Sequence, residues 1–178
     1  MMVKTMNNYP TGKECIELLK NNGCSDDVIR HCKAVRDVAV RIAKKTNANI
    51  KLVEAGALLH DIGRSQTHGI LHGVKGAKIA KKLGLSEDIV KIIERHIGAG
   101  LPAKDAKKLG LPEKDFIPIT LEEKIVCHAD SLIDNSKKQK IEFEVEIALR
   151  KGHNEYAKRL VILHKELSDL CKMDLNNI

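Results

Sequence analysis

Six histidine and aspartate residues occupy positions from which their side chains could bind a divalent metal ion. Each lies on or beside an apolar stretch with the period of an α-helix, so each side chain is expected to face the core. A buried imidazole or carboxylate needs a compensating partner. Neutral imidazole nitrogen and carboxylate oxygen bind Mn, Fe, Co, Ni and Zn ions, so one or two such ions would satisfy the whole set. The six residues are His31, His60, Asp61, His72, His96 and Asp130.

The pair His60-Asp61 has another interpretation when it is considered alone. It ends the apolar run Leu52–Leu59 and precedes Gly63, a typical helix stop. An isolated pair of this kind is better explained as an ordinary helix end, where the side chains bond nearby backbone groups. Adjacent residues on a helix point about 100° apart, so both side chains reach one centre only where the helix ends. The prediction of a metal site therefore depends on the other four residues.

The order of these residues resembles that of the HD superfamily of metal-dependent phosphohydrolases. His60-Asp61-Ile62-Gly63 matches the HDIG variant of the motif, with His31 before it and Asp130 after it on separate helices. The resemblance covers about residues 25–135 and is typical of small stand-alone archaeal and bacterial HD proteins. No Gly-Tyr-Pro signature follows the later histidines, so the cyclic-di-GMP branch of the superfamily is not supported.

The resemblance implies an all-α fold, a single globular HD-domain helical bundle. We expect this domain to cover residues 13–178, with its core motif region at 25–135, after a polar N-terminal tail at 1–12.

The resemblance also implies a role for each member of the set. His31, His60, Asp61 and Asp130 would hold a first ion. His72 and His96 match the two further histidines of HD subfamilies that hold two metals, and Asp61 would bridge the two ions. Asp61 and His60 would be the catalytic pair, and metal-activated water would attack phosphorus without a side-chain nucleophile.

Three further residues are candidates for substrate binding. Arg64 could grip a phosphate or could complete the helix dipole as a last-turn cation, and both interpretations stay open. Lys75 lies one turn beyond His72 and could contact the same phosphate. A position on the solvated surface is the favoured interpretation. We expect His68 to contact substrate or support a ligand rather than bind metal directly.

The composition favours helices packed through aliphatic side chains. The 178 residues are 43% hydrophobic but only 2% aromatic, with no Trp. A core of Leu, Ile, Val and Ala fits helical stripes better than an aromatic-rich β-sandwich. The length suits one compact domain.

The formal charge of +7 would concentrate anions such as phosphate esters. A solvated helical surface is nevertheless the favoured interpretation, because most lysines occur in scattered pairs. No basic run is interleaved with aromatics, so base stacking is not supported, and a nucleic-acid partner is possible but not indicated. The pairs are Lys44-Lys45, Lys81-Lys82, Lys107-Lys108 and Lys137-Lys138.

The five cysteines are odd in number and form no Cys-x-x-Cys pair, so we expect reduced, mostly buried thiols. No apolar run approaches the roughly 20 residues of a membrane span, and no signal peptide is evident. A cytoplasmic protein without a membrane partner is therefore expected. Oligomeric state is not indicated.

The elements that would position the candidate ligands are predicted from periodicity and capping signals. We predict helices at about 13–21, 26–45, 50–62, 71–83, 87–97, 121–135, 142–151 and 155–172. The proline-broken region 98–120 is predicted as loop, and no strand is predicted. Thr120 and Glu123 are expected to form a capping box.

We conclude from the sequence that the chain is a metal-dependent phosphohydrolase of a nucleotide or related phosphate ester. Two alternatives stay open. The same ligands could serve an HD-type di-iron oxygenase, and a non-catalytic binding or signalling module could keep the metal site.

Overall fold

The computed structural model describes residues 9–178 and is built almost entirely of helices, which confirms the predicted all-α class. The described α-helices are α1 (Gly12–Asn21), α2 (Asp26–Ala43), α3 (Ile50–Leu59), α4 (His72–Lys82), α5 (Glu87–Arg95), α6 (Ala103–Lys108), α7 (Leu121–Ser131), α8 (Ile141–Arg150) and α9 (Asn154–Cys171). Short 3₁₀ segments cover Ile62–Ser65, Ile97–Ala99 and Leu175–Asn177. One small antiparallel ladder pairs β1 (Ile133–Asp134) with β2 (Lys137–Lys138).

Polar residues fix where three of the helices that carry candidate ligands begin. The hydroxyl groups of Ser25, Ser86 and Thr120 each accept a hydrogen bond from the backbone N–H three residues later, and these bonds open α2, α5 and α7. Such a cap satisfies an N–H group that has no partner inside the helix. Each cap therefore sets the register of its helix and the side on which the candidate ligand lies.

Helix α3 lies at the centre of the core. It packs against α1, α2, α5 and α7, and its residues from Leu52 onward are almost all buried. Gly56 allows α5 to approach closely, since a Cβ atom at this position would lie 2.7 Å from Ile92. The C-terminal end of α3, which leads into His60, is consequently enclosed by the helices that carry the other candidate ligands.

Two predicted helices are shorter than expected, and each difference affects the site. Helix α3 ends at Leu59 rather than near residue 62, because the backbone leaves helical geometry at Asp61 (φ −99°, ψ 14°). Helix α7 ends at Ser131 rather than near residue 135, and the ladder of β1 and β2 follows it. The prediction that no strand occurs was therefore wrong by this one short ladder.

The region predicted as loop, 98–120, is more ordered than expected. It contains α6 and an isolated bridge between Leu101 and Phe116. Phe116 and Leu101 belong to a small apolar cluster of their own, which packs this segment onto the body of the protein. Patterns based on long helices miss an element of six residues because it spans fewer than two turns.

Thr120 caps α7 as predicted, but Glu123 does not complete a capping box. Its carboxylate accepts hydrogen bonds from Ile119 N and from Arg95 instead. A complete capping box is found at Thr11 and Glu14.

Thr11 lies in the described part of the predicted tail, and residues 1–8 of that tail lie outside the described residues. The five cysteines are all buried and unpaired, as expected. Among the helices of residues 9–178, none combines the length and apolar composition that crossing a bilayer would require.

Candidate metal centre

The six candidate ligands lie in one cluster although five separate parts of the chain supply them. Their donor atoms form three overlapping groups, and within each group the atoms are no more than 4.8 Å apart. His31 comes from α2, the His60-Asp61 pair follows α3, His72 begins α4, His96 follows α5 and Asp130 lies near the end of α7.

Asp61 lies between two pairs of histidines. Its Oδ2 atom is 3.6 Å from Nε2 of His60 and 3.7 Å from Nε2 of His31. Its Oδ1 atom is 3.3 Å from Nε2 of His72 and 3.6 Å from Nε2 of His96. Each carboxylate oxygen therefore faces one pair, which is the arrangement that a bridging ligand needs.

Asp130 completes the side of the cluster that contains His31 and His60. Its Oδ1 atom is 2.9 Å from Nε2 of His31 and 3.5 Å from Nε2 of His60. This side consequently offers two imidazole nitrogens and two carboxylate oxygens. The other side offers His72, His96 and the second oxygen of Asp61.

All four histidines present the same ring nitrogen to the cluster. Their Nδ1 atoms lie 2.6–2.9 Å from backbone carbonyl oxygens, which can only accept hydrogen bonds. In the neutral ring Nδ1 therefore carries the hydrogen, and the lone pair is on Nε2. The carbonyl of Asn135 accepts from His31 and that of Ala57 from His60. The carbonyl of Gly69 accepts from His72 and that of Ile93 from His96.

The arrangement is chemically incomplete without a cation. Nε2 of His72 and Nε2 of His96 are 2.9 Å apart, so the lone pairs of two neutral rings would face each other. Among the described residues, the buried atoms His60 Nε2 and Asp61 Oδ1 have no hydrogen-bond partner. An unpaired buried polar atom is costly, and a bound cation would satisfy both.

The distances also fit a metal site. Two ligands about 2.1 Å from a common ion lie about 3.0–3.4 Å apart at octahedral or tetrahedral angles. The nitrogen-to-oxygen distances in the cluster are 2.9–3.7 Å. Four imidazoles and two carboxylates are the donor set of an intermediate divalent transition metal.

The electrostatics of the metal-free cluster differ between its two sides. Burial lowers the pKa of His60, but Asp61, Cys32 and Asp130 together outweigh burial and hold that pKa well above its ordinary value. Burial, followed by the charge of His96, lowers the pKa of His72 to about 4. His72 is thus ready to bind metal at neutral pH, whereas His60 must first lose a proton.

The two carboxylates of the cluster stay ionised. Burial opposes ionisation of Asp61 and Asp130, yet the charge of His60 and hydrogen bonds from histidines hold both pKa values well below the ordinary range. The cluster therefore keeps two negative charges, one buried at Asp61 and one partly buried at Asp130, where they attract a cation.

A cavity of about 590 Å³ opens beside the cluster. Arg64 and His68, two of the three candidates for substrate binding, line it. Arg64 donates from Nε to Asp61 Oδ2 at 2.6 Å and from Nη1 to the carbonyl of His68 at 3.3 Å, so it connects the cluster to the loop that precedes α4. Lys75 is not part of the lining and lies half-buried on α4.

Other lining residues were missed by the sequence analysis. Ser25 was recognised only as a helix cap, although it also faces this cavity together with Arg30. Asn135 and Ser136 form the turn between β1 and β2, a position that follows Asp130 closely enough to have indicated a role. Asn135 has a second function, because its carbonyl orients His31.

Three further histidines lie outside the cluster. Nε2 of the buried His128 is 3.0 Å from Nδ1 of His164, and Nε2 of His164 is 3.0 Å from Asp174. His153 is exposed at the start of α9. Cys127 is buried in the core, as predicted.

The chain is similar to a known family and to several known proteins. The family model described as HD domain matches residues 28–134. An uncharacterised protein of Methanocaldococcus jannaschii is 46% identical over 168 residues, which cover 90% of this chain and 98% of that protein. A tRNA (cytidine(56)-2'-O)-methyltransferase of Thermoplasma volcanium is 47% identical over 95% of this chain but only 50% of its own length. The chain spans about half the length of such methyltransferases.

Two more distant similarities concern part of the chain or the fold. Ribonuclease Y of Rubrobacter xylanophilus is 35% identical over 72 residues, which are 39% of this chain and 14% of that protein. The crystal structure of the HD domain of the L. monocytogenes phosphodiesterase PgpH, in complex with cyclic-di-AMP, has a TM-score of 0.56 at 18% identity. It covers 89% of this chain and 93% of the PgpH chain. An identity this low supports the fold alone.

Proposed function

Starting from the conclusion that this chain belongs to the HD domain family, we propose that it is a metal-dependent phosphohydrolase. Its substrate is a nucleotide or a related phosphate ester. The single observation that carries the proposal is the cluster of four histidines and two aspartates beside a polar cavity. Buried ligands without partners and an adjacent space for substrate are the features that such an enzyme requires.

Six side chains would hold the metal, as the sequence indicated. His31, His60, Asp61 and Asp130 would bind one ion, and Asp61, His72 and His96 would bind a second. A bound divalent ion supplies Lewis-acid catalysis at phosphorus and lowers the pKa of water. Mn, Fe, Co, Ni and Zn all suit this donor set.

The protein's own residues hold the imidazole rings in position and neutralise charge on the substrate. The four Nδ1–H···O=C bonds fix the imidazole rings, and such supporting bonds raise the affinity of a site for its metal. The Arg64 side chain lines the cavity, so its N–H groups that are not bonded to Asp61 or His68 can donate to a phosphate oxygen. His68 at the same cavity wall would contact the substrate. Lys75, outside this wall, is the weakest of the three candidates.

The names of the relatives support a nucleotide ester. PgpH is a phosphodiesterase whose HD domain was crystallised with cyclic-di-AMP, and Ribonuclease Y is by its name an enzyme of RNA. The tRNA methyltransferase name belongs to proteins about twice as long as this chain. We propose that this chain, which matches half of such a protein, carries out hydrolysis, and that its preferred class of substrate is an RNA or ribonucleotide ester.

A panel assay tests the proposal. Metal-stripped protein is supplied in turn with Mn, Co, Ni, Fe or Zn and incubated with nucleoside monophosphates, cyclic nucleotides and short RNA. We expect metal-dependent release of phosphate or nucleotide, and a loss of at least about 100-fold in His96→Gln, because removal of a ligand impairs the metal site. His153→Gln is the matched control, since this exposed histidine lies outside the cluster.

Several results would contradict the proposal. No turnover of any substrate in the panel with any of the five metals would contradict it. Oxygen-dependent loss of a substrate without phosphate release would favour the di-iron oxygenase, and methyl transfer to tRNA without hydrolysis would favour the methyltransferase. Ligand binding that His60→Ala leaves unchanged, without turnover, would favour a binding module.

A further inference from the structure

The segment between the metal-binding pair and α5 carries positive charge without any acidic residue. Residues 62–86 contain one arginine and four lysines but no aspartate or glutamate. Their formal charge is +5, compared with +7 for the whole chain. No acidic residue within the segment balances this charge.

Helix α4 places three of these lysines on one side. At about 100° per residue, Lys75, Lys78 and Lys82 fall within an arc of about 60°. The opposite side of the helix is buried against the turn at Gly63 and against α5. We call Lys75, Lys78 and Lys82 the lysine stripe. Lys78 and Lys82 are exposed and Lys75 is half-buried.

The lysine stripe has no acidic partner among residues 9–178. Some lysines elsewhere are paired: Lys107 contacts Glu113, and Lys114 contacts Glu94. The uncompensated charge of the stripe is therefore available to an anion in solution.

The lysine stripe begins near a candidate metal ligand, although its residues do not line the cavity beside the cluster. Lys75 lies one helical turn after His72, and at 1.5 Å per residue the stripe extends about 10 Å along α4 from there. Phosphates of a nucleic-acid strand in duplex geometry are about 3.4 Å apart along the axis, so about three of them would fit this length.

We propose that the lysine stripe binds the phosphate backbone of an RNA strand and thereby guides it toward the metal centre. The choice of RNA over DNA rests on the proposed function. A membrane surface fits less well, because the apolar side of α4 is buried in the core and cannot enter a bilayer. Helix α4 has no aromatic residue for base stacking, so the contact is electrostatic and independent of base sequence.

The test is binding of a fluorescent 12-nucleotide single-stranded RNA to the full chain over a series of salt concentrations. Metal-free protein is used, so that the RNA stays intact during the measurement. Binding can then be detected whether or not the protein is a phosphohydrolase. Each phosphate contact contributes about 0.7 to the slope of log affinity against log salt for a single strand. The triple variant Lys75→Gln/Lys78→Gln/Lys82→Gln should therefore lose about 2 from this slope and at least about tenfold in affinity at low salt.

The matched control removes the same charge elsewhere. Lys20→Gln/Lys33→Gln/Lys151→Gln changes three exposed lysines, on α1, on α2 and directly after α8, and its slope should equal that of the wild type. Circular dichroism verifies that both variants fold. Equal losses of slope and affinity in both variants would show that net charge alone causes the effect, and this would overturn the proposal. Tighter binding of a DNA of the same sequence, or binding to anionic vesicles but not to RNA, would overturn it as well.

Discussion

At the scale of single residues, Asp61 links the two sides of the cluster. One of its oxygens faces His31 and His60, and the other faces His72 and His96. This division is possible because the backbone leaves helical geometry at Asp61, directly after His60. Two adjacent residues inside a regular helix would point about 100° apart and could not converge in this way.

Metal binding should release a proton from His60. Because Asp61, Cys32 and Asp130 together outweigh burial and hold the pKa of His60 well above its ordinary value, we expect this ring to carry a proton at pH 7 before metal binds. His72 should release none, since its pKa is lowered to about 4. Zn²⁺ affinity should therefore rise with pH between 6 and 8, by up to about tenfold per unit for one proton. Calorimetry in buffers of different ionisation enthalpy measures the release, and heats that do not depend on the buffer would contradict it.

His128 should make the protein less stable in acid. Burial, followed by the charge of His164, lowers the pKa of His128 to about 3, whereas an unfolded histidine titrates near 6.5. Below pH 6.5 the unfolded state therefore binds one proton more than the folded state, and stability falls as pH falls toward 3. This residue adds up to about 1.4 kcal/mol per pH unit to the slope.

The variant His128→Gln removes that titration while keeping a polar side chain. Its free energy of unfolding, measured by urea denaturation between pH 6.5 and 4, should depend less steeply on pH than that of the wild type. Identical slopes for the two proteins would show that His128 does not have the proposed pKa.

At the scale of elements, the site depends on close contact between a turn and a helix. Gly63 lies against α4 so closely that a Cβ atom there would be 1.9 Å from the carbonyl oxygen of His72 and 2.6 Å from the amide nitrogen of Gly76. Both contacts are with backbone atoms, which cannot move aside as a flexible side chain can. The glycine of the His-Asp-Ile-Gly motif therefore holds the start of α4, and with it His72, next to Asp61.

Gly63→Ala should separate this turn from α4. We expect a loss of about 3 kcal/mol or more in stability, at the upper end of the overpacking range, together with weaker metal binding. Gly69→Ala is the control, because its Cβ would meet only the Thr67 hydroxyl at 3.7 Å, an ordinary contact. Urea denaturation compares the two variants. Equal stability would show that the contact between Gly63 and α4 can relax without cost.

The sequence predicted the elements that long patterns define and missed those that are short. The periodicity of α2, α4 and α5, with the caps Ser25 and Ser86, predicted helices close to those observed. The two-residue strands β1 and β2 are too short to show an alternating pattern, so the support of His31 by the Asn135 carbonyl could not be foreseen. Cavity residues such as Ser25 and Arg30 were missed because they meet the site only through tertiary packing.

At the scale of the whole molecule, the cluster joins parts of the chain from α2 to α7. The types and order of its residues predicted the set of candidate ligands, but the distances that make the set a site follow only from packing around α3. Ions that bind to the folded protein alone stabilise it by mass action.

Metal addition should therefore raise the melting temperature of the wild type. At a free ion concentration of 100 times Kd the stabilisation is about 2.7 kcal/mol. For a chain of this size that corresponds to about 5–10 °C. Asp61→Asn, measured in parallel by thermal denaturation, should show little shift. A rise of the same size in this variant would indicate binding elsewhere on the protein.

The central claim is that His31, His60, Asp61, His72, His96 and Asp130 hold divalent metal around a shared carboxylate. Elemental analysis of the purified protein and of Asp61→Ala tests it most directly, because it gives metal identity and stoichiometry together. We predict one or two equivalents of a transition metal in the wild type and a loss of about tenfold or more in the variant. Full metal content in a folded Asp61→Ala protein would contradict the account.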